Sequence, residues 1–229
     1  MKEYEIYSNL KVPKESNVIL RLDGRNFHRL SNNLNLKKPY DDGFIKSMVL
    51  ASKEIFKEFS PLFIYTFSDE INILLSEIPF SGRIEKLNSV FPSLTSSAFL
   101  KHLENSFNSF NISNIYFISF DSRVIPIAKE KGIVDYFKWR QDESWRNCVN
   151  SYGYWTLRKD FSAKEASEKL KSLKSQDIHQ LLFENGINLN DLPNYQKRGV
   201  AIYKRKKKIF VDKELPIFNI DFYRKINIL

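Results

Sequence analysis

The 229-residue sequence has one cysteine, Cys148, three histidines and seven glycines. A lone cysteine excludes an intramolecular disulfide, and three scattered histidines do not make a zinc site. No apolar run approaches the ~20 residues of a membrane-spanning helix, so no membrane is expected as a partner. The first ten residues, MKEYEIYSNL, carry charges where a signal peptide needs its apolar stretch. The expected location is cytoplasmic, and the sequon at residues 111–113 then carries no meaning. Internal repeats, low-complexity tracts and flexible linkers are also lacking.

Hydrophobic residues make up 42% of the chain and aromatic residues 14%, the composition of a folded protein with a substantial core. Lys and Arg total 36 against 27 Asp and Glu, a formal net charge of +9. That favours polyanionic partners without separating nucleic acid from acidic lipid.

Residues 18–22 and 62–67 are short apolar runs rich in β-formers and read as buried strands. Residues 71–75 read as a third strand, and 114–127 contain a fourth. Between the first two, Phe44, Met48, Ala51, Ile55 and Phe59 recur at helical spacing within 41–59. Residues 83–103 read as helical in part, with Pro92 starting or kinking a segment. The order is β-α-β-β-α-β, the ferredoxin-like arrangement, so the fold class is α+β. Helices over 134–157, 163–173 and 178–184 and a basic hairpin around 197–211 follow. The expected organisation is a catalytic core over 1–130 and a helical, basic extension over 131–229 packed on it, or a single domain. The segment 215–223 is expected to close the core or form an oligomer interface.

This topology has a geometric consequence. Two right-handed crossovers make strands one and two parallel, with strand three antiparallel between them. The end of strand one and the turn joining strands two and three then share one edge. Strand one ends at Asp23-Gly24, and the turn carries Ser68-Asp69-Glu70. Adjacent strands lie ~4.8 Å apart, so two carboxylates from distant sequence meet there. After Asp23 the chain turns basic: residues 21–40 hold Arg21, Arg25, His28, Arg29, Lys37 and Lys38 against that one acid. Paired Asp with a Gly carbonyl is an all-oxygen site suited to Mg²⁺, and two such ions serve an in-line phosphoryl displacement. The basic loop would hold a triphosphate, its charge met by His28 and Lys38. The plainer reading is a pair of ordinary strand-end turns.

The stretches RLDGRNFHRLSNNLNLKKPYDD, FSDE, FDSR and YFKWRQ occur in an order that resembles the tRNA(His) guanylyltransferase family. The resemblance runs in register over residues 18–160 and more loosely through LPNYQKRGVAIYK to about 204. It implies a polymerase palm that adds nucleotides in the 3′-to-5′ direction to the 5′ end of tRNA. It also implies that Asp23 and Asp69 bind two Mg²⁺ with the carbonyl of Gly24. By the same resemblance, Asp23, Gly24, Arg25, Asn26, Phe27 and His28, with Lys38, Ser68 and Asp69, hold the nucleotide. Arg83 and Lys86 keep the spacing of a pair linked to activation of the 5′ end. ATP and GTP are the implied substrates, and a homotetramer or dimer is the implied assembly.

On the helix after Trp-Arg-Gln, Arg140, Asn147 and Ser151 fall near one face, and Trp145, Cys148, Tyr152 and Trp155 approach another. Arg140 and Asn147 are the candidates for tRNA contact there. The basic run Lys204, Arg205, Lys206, Lys207 and Lys208 is assigned to the tRNA backbone. Eukaryotic members carry His-Ile-Asn-Asn where this chain has Trp145, Arg146, Asn147 and Cys148, so only Asn147 matches. The pattern is closer to archaeal members and Thg1-like proteins, which favour templated addition and 5′-end repair. Trp145 reads as a core tryptophan with base stacking as the alternative, and Cys148 as a small buried residue. Two rival readings remain open from the residues alone: another palm enzyme, such as a cyclase or conventional polymerase, and a non-catalytic RNA-binding module.

Overall fold

The computed structural model describes residues 1–107 and 117–229. The sequon at 111–113 and the first residues of the 114–127 segment lie outside them. Along the chain run β1 (Asn17–Gly24), α1 (Phe27–Asn33), α2 (Asp42–Phe59), β2 (Phe63–Phe67), β3 (Glu70–Leu74), α3 (Ile84–Glu104) and β4 (Phe120–Ile127). Then follow α4 (Glu130–Leu157), α5 (Ala163–Ser172), α6 (Ser175–Glu184), α7 (Asn194–Arg198), β5 (Val200–Arg205), β6 (Lys208–Asp212) and α8 (Ile220–Lys225).

The sheet order is β4-β1-β3-β2-β5-β6, every neighbouring pair antiparallel. β1 and β2 are therefore parallel with β3 between them, as the βαββαβ order requires. Alternation divides β1 between two cores. Val18, Leu20 and Leu22 join Met48, Ile55, Phe91 and Phe99 under α2 and α3. Ile19 joins Phe63, Tyr65, Phe137 and Phe218 under α4 and α8. β2 and β3 are buried on both faces, and full burial of a Phe or Ile contributes ~1.5–3 kcal/mol. These two strands are the fixed frame of the site.

Four elements differ from the sequence expectation. The basic loop after Asp23 contains a short helix, α1, because Phe27 and Leu30, one turn apart, are both buried in the core. α3 runs through Pro92 as one helix, with the ring buried. The basic hairpin extends the main sheet, β5 pairing with β2 from Thr66↔Val200 to Phe63↔Tyr203. α8 had no periodic signal, yet Leu215, Phe218, Phe222 and Tyr223 do close the second core. Trp145 is not a core residue: its side chain is among the exposed large hydrophobics. Cys148 is buried as expected, and burial pushes its thiol up to about 11, so it is no nucleophile at neutral pH. Among the described residues, no helix is long and apolar enough to cross a membrane.

Candidate active site

β1 ends beside the β2–β3 turn. The Gly24 amide donates to the Asp69 carbonyl at 3.1 Å, and Asp23 is laddered to Glu70 on one side and to Asp121 on the other. Ser68 turns the corner with φ 48°, and its hydroxyl donates to Asp69 Oδ1 at 3.0 Å. A Cβ on Gly24 would lie 2.8 Å from the Phe27 ring, so glycine is required where that ring covers the strand end. The two carboxylates that the sequence placed at one edge do share it.

Negative charge on Asp69 is costly here. Burial raises the Asp69 carboxyl to about 6, the negative charge of Asp23 adds to the rise, and the Ser68 hydroxyl opposes it. A divalent cation would reverse that penalty, and an all-oxygen donor set suits a hard ion. Among the described residues no group of three His, Cys, Asp or Glu gathers around a metal position. Glu70, the second acid of the turn, is unavailable because Arg140 holds it. The guanidinium donates from Nε to Oε1 and from Nη2 to Oε2, both at 2.8 Å. Asn72 Nδ2 donates to the same Oε1, and the Tyr136 hydroxyl donates to Asn72 Oδ1 at 2.6 Å. The residues present fit Mg²⁺ held by two carboxylates, with the remaining ligands drawn from backbone carbonyl and phosphate oxygen.

A cleft of about 670 Å³ opens from this edge. Of the residues expected to hold the nucleotide, Phe27, His28, Lys38, Ser68 and Asp69 line it and Asp23 and Gly24 do not, and Asn147 reaches it from α4. Lys38 donates to the Ser31 hydroxyl and lies 5.6 Å over the Trp155 ring. Burial holds its pKa below the usual lysine value, with Asp41 opposing. Arg25 and Asn26 turn away and line a separate hollow of about 220 Å³ beside Ser119.

Ser151, Tyr154, Trp155 and Arg158 continue the stripe begun by Asn147 along the far wall, and of these the sequence reading placed only Ser151 on that face. Their offsets of 4, 7, 8 and 11 residues from Asn147 mark one helical face, a signal that was present in the sequence. Trp155 therefore belongs with Asn147 and Ser151, not with Cys148.

Three other expectations are relocated. Arg140 is 7% exposed, so it does not reach RNA; it faces the sheet because Glu70 neutralises it there. Arg83 and Lys86 begin α3, beyond the far end of β3, which at four strand steps lies ~14 Å from the turn. The fold does not bring them to Asp23 and Asp69. Lys204, Arg205, Lys206, Lys207 and Lys208 are exposed at the tip of the β5–β6 hairpin, with Lys206 and Lys207 at positive φ. β5 runs away from the Asp69 edge, so this tip also lies at the opposite end of the sheet.

Known proteins resemble this chain in sequence and in fold. Residues 1–128 match the family model described as tRNAHis guanylyltransferase, and residues 131–217 match its C terminal domain. The tRNA(His) guanylyltransferase of Debaryomyces hansenii is 31% identical over 89% of this chain and 78% of its own length. A probable tRNA(His) guanylyltransferase of Drosophila melanogaster is 30% identical over 82% of this chain and 67% of its own. A bacterial tRNA(His) guanylyltransferase-like protein, solved in complex with ATP, superposes with a TM-score of 0.83 at 26% identity, covering 100% of this chain and 96% of that one. The chain belongs to the tRNA(His) guanylyltransferase family.

Proposed function

We propose that this protein adds nucleotides to the 5′ end of tRNA in the 3′-to-5′ direction, by two in-line phosphoryl transfers at the Asp23–Asp69 edge. The observation that carries the proposal is the convergence of those carboxylates, from β1 and the β2–β3 turn, with Asp69 itself lining the nucleotide-sized cleft. In the first transfer, the 5′-monophosphate attacks the α-phosphate of ATP and pyrophosphate leaves. In the second, the 3′-hydroxyl of GTP attacks the activated 5′-phosphate and AMP leaves. Such reactions need positioning and charge neutralisation more than a covalent nucleophile.

Asp23 and Asp69, with the Gly24 carbonyl, would hold Mg²⁺, which when bound neutralises charge on the phosphate oxygens undergoing transfer. Lys38 and His28 meet triphosphate oxygens from the cleft wall. Asn147, beside Ser68, offers amide donors and acceptors within the same cleft. Trp155, already under the Lys38 ammonium, supplies an aromatic face for a base. Arg83 and Lys86 are assigned no step. The hairpin tip, remote from the reacting edge, contributes affinity for the RNA backbone.

The proposal carries with it a dimer or tetramer, from the family resemblance, and keeps the cytoplasmic setting expected from composition. Incubation of a 5′-monophosphorylated, 5′-truncated tRNA with ATP, GTP and Mg²⁺, followed by mapping of the 5′ end, tests it. Extension at the 5′ end supports the proposal. A cyclic nucleotide as the sole product would assign the site to a cyclase.

A further inference from the structure

On the other side of α7 from the nucleotide cleft lies a second cavity, of about 230 Å³. Tyr195 and Gln196 of α7 line the hollow beside Ser68 and Asn147, whereas Lys197 and Arg198 line this one. On α4, Trp145 lines this cavity and Asn147, two residues on, lines the nucleotide cleft. The wall from α4 is Trp145, 37% exposed and steadied edge-on by the His179 ring at 6.1 Å. Opposite stands Ile217, 56% exposed. Gln141 pins the segment beneath it, donating to the Pro216 carbonyl and accepting from the Phe218 amide.

The charge in this cavity is unbalanced. Lys197 donates to the Asn190 carbonyl and Arg198 to the Leu215 carbonyl, and among the described residues neither has a carboxylate partner. Asp142, the one acid lining the cavity, is held by Lys138. An aromatic face beside two cations whose charge no acid answers is complementary to a nucleotide, base on the ring and phosphate on the cations. The size fits: roughly 150 Å³ suffices for a benzene ring.

We infer that this cavity receives an unpaired nucleotide from the single-stranded 3′ tail of the tRNA acceptor end, stacked on Trp145. This rests on the proposed function. The strand opposite the growing 5′ end leaves the duplex beside the reaction, and a single strand advances ~3.4 Å per nucleotide. The tail thus reaches the cavity while the 5′ end lies at Asp23 and Asp69.

The test compares binding of two 5′-truncated tRNA transcripts, one complete at its 3′ end and one lacking the four terminal nucleotides. Trp145→Ala should weaken binding of the complete transcript about tenfold, and Trp145→Phe by less, with ATP affinity unchanged in both. The shortened transcript should bind wild type and Trp145→Ala alike. Equal loss on both transcripts, or loss on neither, overturns the inference. So does conversion of an oligomer to monomers by Trp145→Ala, which would make the cavity an interface between copies. If Trp145→Ala does not melt cooperatively, Trp145→Phe and Lys197→Ala carry the same comparison. Failure of wild type to extend either transcript would count against the proposed function, whereas tail-dependent binding is read without turnover.

Discussion

Arg140 reaches across from α4 to grip Glu70 at two points, each 2.8 Å, directly beneath the turn that presents Asp69. The pair turns Glu70 inward, so that of the two acids in Ser68-Asp69-Glu70 only Asp69 lines the cleft. Arg140→Ala would leave a buried carboxylate unpaired, at a cost of ~3–5 kcal/mol. Denaturant unfolding should show that loss. Arg140→Lys should recover part of it, since an ammonium replaces the charge but not the two-point geometry.

Asp69 gives a pH signature. Its folded-state pKa, about 6, is above the usual 3.8, so without metal the folded chain binds this proton more tightly than the unfolded chain. The resulting destabilisation is absent below the unfolded value, grows as pH rises, and is complete above about 6. Urea midpoints in EDTA should therefore fall less between pH 4 and 7 for Asp69→Asn than for wild type. Identical pH dependence in the two proteins would contradict the assignment of this charge.

His28→Ala and Lys38→Ala should raise the apparent KM for nucleotide more than they disturb tRNA affinity. Both side chains line the cleft, and neither belongs to the sheet that holds the metal pair. Losing a charge-assisted hydrogen bond predicts a change of ~1.5–3 kcal/mol, or roughly 10- to 100-fold. Normal nucleotide kinetics with weakened tRNA binding would reassign these residues to the RNA backbone.

Substrate choice follows from Trp145, Arg146 and Cys148 standing where the eukaryotic element differs. Template pairing, more than the anticodon, should decide which nucleotide is added. A mismatch leaves donors and acceptors unsatisfied, at ~1–3 kcal/mol each. Several 5′-truncated tRNAs, each with a His-anticodon counterpart, supplied with all four nucleotides, separate the cases. Templated addition across the set is expected; addition of G alone to His-anticodon tRNAs would contradict it. Charge reversal at Lys206 and Lys207 should lower tRNA affinity and flatten its salt dependence without changing the nucleotide chosen.

Much of the frame was legible because its signals are local. The β-rich runs of β1, β2 and β3 and the spacing of α2 give the βαββαβ order, and the order alone brings Asp23 to Asp69. What stayed hidden depends on distant partners. Glu70 lies 70 residues from Arg140, so a guanidinium in a basic chain read as RNA-facing surface. α1 has only Phe27 and Leu30 as buried anchors among polar neighbours. Arg83 follows the catalytic turn closely in sequence, but β3 carries the chain away to the opposite edge. Trp145 reads as core by its type; its exposure is set by where α7 and Ile217 stop covering α4.

The central claim is that this protein extends the 5′ end of tRNA at the edge shared by Asp23 and Asp69. The most direct measurement maps the 5′ ends of a truncated, 5′-monophosphorylated tRNA after incubation with ATP, GTP and Mg²⁺, using wild type, Asp23→Ala and Asp69→Ala. Wild type should add nucleotides. Both variants should add none while melting no lower than wild type in EDTA, since each removes one of two mutually repelling carboxylates. Full extension by either variant, or none by wild type, would contradict the account.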